Sequence, residues 1–169
     1  ILFLGRLVPE KGIHYLIEAY QKLKTDKKLV IAGGISDTGE YGEALQKLAA
    51  NNPNILFTGF VQGRPLEELY RNAYLYILPS DLEGMPLSLL EAMSYGNCCV
   101  TSDIEECAAV MESFGVTFPK SDVSALTETL QHLCDDPQTV ARYQQQAANY
   151  ITSKYNWDDV TEKTLELYR

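Results

Sequence analysis

The chain has 169 residues and a mass of 18.9 kDa, with 46% hydrophobic and 22% charged residues. That is one domain's worth of a globular protein with room for a sizeable core. Net charge is −9, from 14 basic and 23 acidic residues, which argues against nucleic acid or an anionic membrane surface as the main partner. No apolar run approaches the roughly eighteen residues of a transmembrane segment.

The charge is uneven. Residues 1–28 carry Arg6, Lys11, Lys22, Lys24, Lys27 and Lys28 against Glu10, Glu18 and Asp26, so an anionic ligand is expected near the N-terminal segment. The chain opens at Ile1 inside the apolar run ILFLG. It shows no Met, no basic apolar leader and no small-residue cleavage site there, and is expected to be a piece of something longer, without an export signal.

Short apolar runs alternate with helical patterns. Strands are predicted at 1–5, 28–33, 54–58, 74–78, 97–101 and 115–118. They are near-continuous apolar runs, as in strands covered on both faces of a parallel sheet. Helices are predicted near 12–24, 40–51, 65–72, 86–95 and 105–113; in the second, Leu45, Leu48 and Ala49 fall at helical spacing. This alternation predicts an α/β fold: a doubly wound, Rossmann-like, six-stranded parallel sheet with helices on both faces. After residue 119 only helical patterns follow, at 122–134, 137–153 and 157–168. Asp136-Pro137 supplies a cap and a first-turn proline for the second of these. The last carries Trp157, Val160, Leu165, Leu167 and Tyr168. The organisation expected is a unit over 1–155 and a terminal helix over 156–169.

Cys98, Cys99, Cys107 and Cys134 form no C-x-x-C spacing, and His14 and His132 are the two histidines. Buried free thiols in a reducing cytoplasm are expected rather than zinc or a redox pair. Both histidines are read as structural.

In doubly wound sheets ligands bind beyond the carboxyl ends of the strands. That selects the loops 5–12, 33–40, 59–65, 79–86 and 102–105. The first places Arg6 and Lys11 in a strand-to-helix turn closed by Gly12. Two cations so spaced suit a diphosphate, one gripping bidentately and one as a point charge; a solvated turn is the alternative. Neither GxxxxGK[ST] nor GxGxxG is present. The loop 79–86 leads into a helix whose first residue is expected to be Pro86. That would leave backbone N–H groups between Gly84 and Leu87 open to an anion. Glu83 and Glu91 stand eight apart. Glu91 has Leu87, Leu89, Leu90, Ala92 and Met93 around it and so needs partners. A vicinal diol would serve, as would a buried N–H or a distant arginine.

GRLVPEKG followed by a helix, PS-x-x-EGMPLSLLEAM and the following SYG strand together resemble the C-terminal half of family 4 retaining glycosyltransferases of the GT-B fold. The likeness runs over nearly the whole chain. It implies that Arg6 and Lys11 hold the donor diphosphate, that Glu91 binds the ribose hydroxyls, and that Glu83 lies by the transferred sugar. It further implies that Gly84, Met85 and Pro86 form the turn facing sugar and phosphates, although many members have an aromatic at the place of Met85. Leu87 would offer its N–H, Val61 of Gly59-Phe60-Val61 would touch the base, and Gly33-Gly34 would shape the backbone. Many members carry a Gly-Gly turn where this chain has Thr101-Ser102-Asp103-Ile104-Glu105-Glu106-Cys107; here Asp103 is expected to cap the helix from 105.

The activity implied is transfer of a sugar from a nucleoside-diphosphate sugar. Arg6, Lys11 and the Gly84–Leu87 turn would stabilise the departing phosphates, and Glu83 would place sugar hydroxyls. No cofactor and no metal are expected, since no Asp-x-Asp clamp appears. The acceptor would bind mainly in a missing N-terminal domain, against which the terminal helix would pack, so this piece alone is expected to be inactive. A non-catalytic nucleotide-sugar-binding module and a sugar-nucleotide epimerase of the same fold are the alternatives. The location implied is cytoplasmic, with peripheral attachment to the inner membrane face through the missing half as a further option.

Overall fold

A computed structural model describes residues 1–34 and 39–168, apart from the side chain of Trp157. Four residues of the expected loop 33–40, namely 35–38, therefore lie outside the described residues. The strands are β1 (Leu2–Leu4), β2 (Leu29–Ala32), β3 (Ile55–Gly59), β4 (Tyr76–Leu78), β5 (Cys99–Ser102) and β6 (Val116–Phe118). The helices are α1 (Ile13–Tyr20), α2 (Glu40–Ala49), α3 (Arg64–Asn72), α4 (Leu87–Ser94), α5 (Glu105–Met111), α6 (Val123–Asp135), α7 (Pro137–Lys154) and α8 (Trp157–Glu166). A 3₁₀ turn, Pro9–Lys11, is an element that the sequence reading does not anticipate.

All six strands are parallel, in the order β3-β2-β1-β4-β5-β6. This is the doubly wound arrangement expected. From β1 the chain steps outward to β2 and β3, and from β4 outward the other way to β5 and β6. Right-handed crossovers then put α1 and α2 on one face and α4 and α5 on the other. The central strands are largely buried, with Phe3, Ile31, Tyr76, Ile77, Cys99 and Val100 all at 0% exposure and Leu4 and Val30 half-buried. Each such aliphatic or aromatic side chain stabilises the fold by about 1.5–3 kcal/mol. The edge strand β3 leaves Leu56 40% exposed, as an edge facing water on one side allows.

α6 packs on α1, α7 on α4, and the two pack on each other. Their junction meets the residue that leads into β4. The Tyr74 hydroxyl donates to the Leu133 carbonyl at 2.7 Å and the Gln144 amide donates to the Tyr74 carbonyl at 3.1 Å. The helical extension thus closes the amino end of the sheet and leaves the carboxyl end to loops. Among the described residues no helix is long and apolar enough to cross a membrane.

Candidate functional site

The switch point of the sheet lies between β1 and β4, which pair through Leu2 and Tyr76. Beyond their carboxyl ends the two following loops lock together. Gly12 has φ of 64°, and a Cβ on it would stand 2.1 Å from the Pro79 carbonyl oxygen. No side chain fits there, so the glycine serves both a left-handed backbone and a close approach. The Asp81 N–H donates to the Glu10 carbonyl at 2.8 Å. A similar approach holds the neighbouring exit, where a Cβ on Gly33 would fall 1.8 Å from the Gly5 carbonyl oxygen; the expected backbone role of that glycine is seen directly.

This docking sets Lys11 against Glu83, across 72 positions of sequence. The Lys11 Nζ lies 2.6 Å from Glu83 Oε1 and 2.7 Å from Oε2. The side chains are 17% and 5% exposed, so this is a nearly dry ion pair. Ser80, fully buried, donates its hydroxyl to Glu83 Oε1 at 2.6 Å, and the Ser102 hydroxyl donates to the Ser80 carbonyl. Asp81 is held as well: Oδ1 accepts from Ser121 at 2.7 Å and Oδ2 from Tyr15 at 3.3 Å, and its carbonyl accepts from Lys120 Nζ at 3.2 Å. Cys107 lies nearby, its thiol pushed up to about 12 first by burial and then by the Glu83 charge.

Arg6 stands exposed in the same loop and forms no ion pair among the described residues. The two expected cations are therefore unlike each other. One stands exposed, and the other already shares its charge with Glu83.

The α4 end differs from expectation in three places. Pro86 precedes the helix as its cap residue, with φ −78° and ψ 75°, and is not the first helical position. The Leu87 N–H turns back to the Met85 carbonyl at 2.9 Å, so it is not an open donor. Among the described residues, the N–H groups of Gly84, Met85 and Ser88 have no protein acceptor, and they are the ones left for an anion. Around them Gly84 is exposed, Met85 58% exposed and Leu87 55% exposed, while Pro86 is buried.

Glu91 is likewise not enclosed by the apolar residues around it in sequence. It lies on the exposed face of α4, one turn after Leu87, whereas Leu89, Ala92 and Met93 turn inward. Its Oε2 accepts from the Tyr70 hydroxyl of α3 at 2.9 Å. Burial, with Tyr76 and Glu91 adding, raises the Tyr70 hydroxyl pKa well above its usual value, so it stays a donor. Tyr76, also raised by burial, donates to Ser88 Oγ at 2.8 Å. Ser80, Tyr70, Tyr76 and Ser88 are site residues that the sequence reading missed. Only Ser80, three positions before Glu83, carried a local signal.

Val61, half-buried, packs on the core, with Phe60 beside it at 75% exposure. Asp103 does not cap α5; the cap residue there is Ile104, without a side-chain bond. Asp103 instead accepts the Lys120 N–H at 2.9 Å and ties the loop after β6 to the loop after β5. Cys98, Cys99 and Cys107 are buried free thiols and Cys134 is half-buried. His14 sits at the start of α1 with its Nδ1 2.7 Å from the Tyr41 hydroxyl.

A doubly wound, six-stranded parallel sheet with helices on both faces places the chain among the α/β, Rossmann-like domains. The particular family follows from comparison. Residues 1–150 match the model for glycosyl transferases group 1, and the chain belongs to that family. It is 31% identical over 173 residues to an uncharacterized glycosyltransferase of Methanocaldococcus jannaschii, covering 100% of this chain and 44% of that protein. It is 28% identical over 185 residues to the alpha-maltose-1-phosphate synthase of Mycobacterium tuberculosis, covering 99% and 47%. The crystal structure of Anabaena HepE in complex with UDP and glucose superposes with a TM-score of 0.91 at 19% identity, over 99% of this chain and 47% of that one. The chain thus spans about half the length of the proteins it matches.

Proposed function

We propose that this chain is the donor-binding half of a retaining glycosyltransferase, of the family 4 kind, which takes a sugar from a nucleoside-diphosphate sugar. The observation that carries the reading is the Lys11–Glu83 pair, fixed at the switch point beside an exposed Arg6 that forms no ion pair among the described residues. An ammonium has three protons. Glu83 takes two directions, at 2.6 and 2.7 Å, which leaves one for a phosphate oxygen. Arg6 adds a full charge and a bidentate fork. The open N–H groups before and at the start of α4 add the positive end of a helix dipole. Together they would stabilise charge on the departing diphosphate, and no metal is required by this reading. Glu83 serves as a positioner of sugar hydroxyls rather than a nucleophile, and Glu91 as the acceptor for ribose hydroxyls. An acceptor site belongs, on this reading, to a second half of the protein.

The test is thermal unfolding with UDP, GDP and ADP, each beside its nucleoside, with and without EDTA. A ligand at 100-fold its Kd adds about 2.7 kcal/mol of stability. One diphosphate is expected to shift the midpoint, its nucleoside far less, and EDTA not at all. Arg6→Ala is expected to remove most of the difference between diphosphate and nucleoside. Glu91→Ala should weaken a sugar-free diphosphate more than Glu83→Ala does. No shift with any diphosphate would overturn the reading.

A further inference from the structure

We propose that Tyr70 is the positioning residue for the Glu91 carboxylate and thereby sets a preference for ribose bearing both of its hydroxyls. The inference rests on the nucleotide-sugar reading above.

Glu91 projects from the exposed face of α4, where a glutamate ordinarily samples many rotamers. Among the described residues its carboxylate has one partner, the Tyr70 hydroxyl at 2.9 Å from Oε2. That partner is itself fixed. Tyr70 is 2% exposed. Its ring lies nearly parallel to that of Tyr95, with centroids 5.2 Å apart and planes at 10°. Its carbonyl accepts from the buried Asn97 side chain at 3.0 Å. The hydroxyl also lies 3.3 Å from the Ser88 carbonyl, but its single proton favours the nearer, charged acceptor.

The consequence is a carboxylate with a set direction. Tyr70 occupies one lone pair of Oε2. Oε1 and the second lone pair of Oε2 remain as adjacent acceptors. Two neighbouring hydroxyls on a ligand can meet both. A ligand without them leaves the charge solvated and gains nothing from the alignment. Without Tyr70 the ligand itself would have to order the side chain.

The experiment is calorimetric titration of the protein with UDP, GDP and ADP and with their 2′,3′-dideoxy analogues, on unmodified protein, Tyr70→Phe, Glu91→Gln and the double variant. The unmodified protein is expected to prefer the ribo form by about tenfold or more. Tyr70→Phe, which keeps the ring and its stacking, should cut that ratio severalfold while leaving affinity for the dideoxy ligand unchanged. In the double variant, Tyr70→Phe should add little to Glu91→Gln, since both act through one contact. An equal loss for ribo and dideoxy ligands, or additive losses in the double variant, would make Tyr70 a purely structural residue and overturn the proposal. Failure of every diphosphate to bind the unmodified protein is a different result, and would overturn the donor reading together with this one.

Discussion

At the scale of single residues, the Lys11–Glu83 pair ties fold and site together. Glu83 is 9% exposed, and Lys11 and Ser80 both donate to it. Removing the cation leaves a nearly buried carboxylate with one neutral donor. Lys11→Ala is therefore expected to destabilise the protein by about 2–3 kcal/mol, less than a fully buried pair because the lysine side is partly wet. Arg6→Ala, at an exposed position with no ion pair among the described residues, should leave stability unchanged while lowering diphosphate affinity. Replacing both partners, as Lys11→Met with Glu83→Leu, should restore much of the stability and none of the binding. Urea denaturation of these variants together with the single variants Lys11→Met and Glu83→Leu checks this; additive losses in the double variant would show that the pair is not an energetic unit.

At the scale of elements, the six strands and eight helices of the described residues follow the apolar periodicity closely, since buried parallel strands and amphipathic helices each leave a local pattern. What periodicity could not convey is which side chains meet across crossovers. Lys11 reaches Glu83, and Tyr70 reaches Glu91, only through tertiary docking. The apolar neighbours of Glu91 in sequence do not tell which way it faces or that its partner is the Tyr70 hydroxyl. Position along the helix decides, and Leu87 with Glu91 forms the outward stripe. Caps divide in the same way. Asp136-Pro137 is local and was legible: Asp136 accepts from the N–H groups of Gln138 and Thr139 and from the Thr139 hydroxyl. Asp103 has a better partner in Lys120, far along the chain. The cap carries a pH signature. The Thr139 hydroxyl, then the backbone N–H groups, lower the Asp136 pKa from 3.8. A lowered carboxyl pKa gives stability that is present above the unfolded value and lost as pH falls through the folded one. Asp136→Asn should thus unfold like the parent near pH 7 but lack its share of the decline below about pH 4. Asp136→Ala should lower the thermal midpoint by about a few degrees at neutral pH. Identical acid limbs for parent and Asp136→Asn would show that the cap does not titrate with folding.

At the scale of the whole molecule, the two ends of the sheet are built for different purposes, and the thiols and the last helix report on them. Burial pushes Cys98 up to about 12 and Cys99 well above its usual value, and Cys107 behaves alike. A thiol reagent near pH 8 should therefore find three slow cysteines and a faster Cys134, with all four reacting at once in denaturant. Beyond this core α8 is another matter. Val160 is 49% exposed, Leu165 52%, and Leu167 and Tyr168 86% each. Asn156 caps its start by accepting the Asp159 N–H at 2.8 Å, and Asp158, Asp159 and Lys163 suit its dipole. A capped helix of ten residues is still marginal in water without a packed face. On the proposed function, the second half of the protein supplies that face. In this chain alone, residues 157–166 are expected to exchange amide hydrogens far faster than 87–94, whose helix packs on α7. If the apolar stripe pairs between copies, exchange should slow as concentration rises. Strong protection of α8 at every concentration would show that the helix is held by this chain itself, and would remove the terminal helix from any surface shared with a second half.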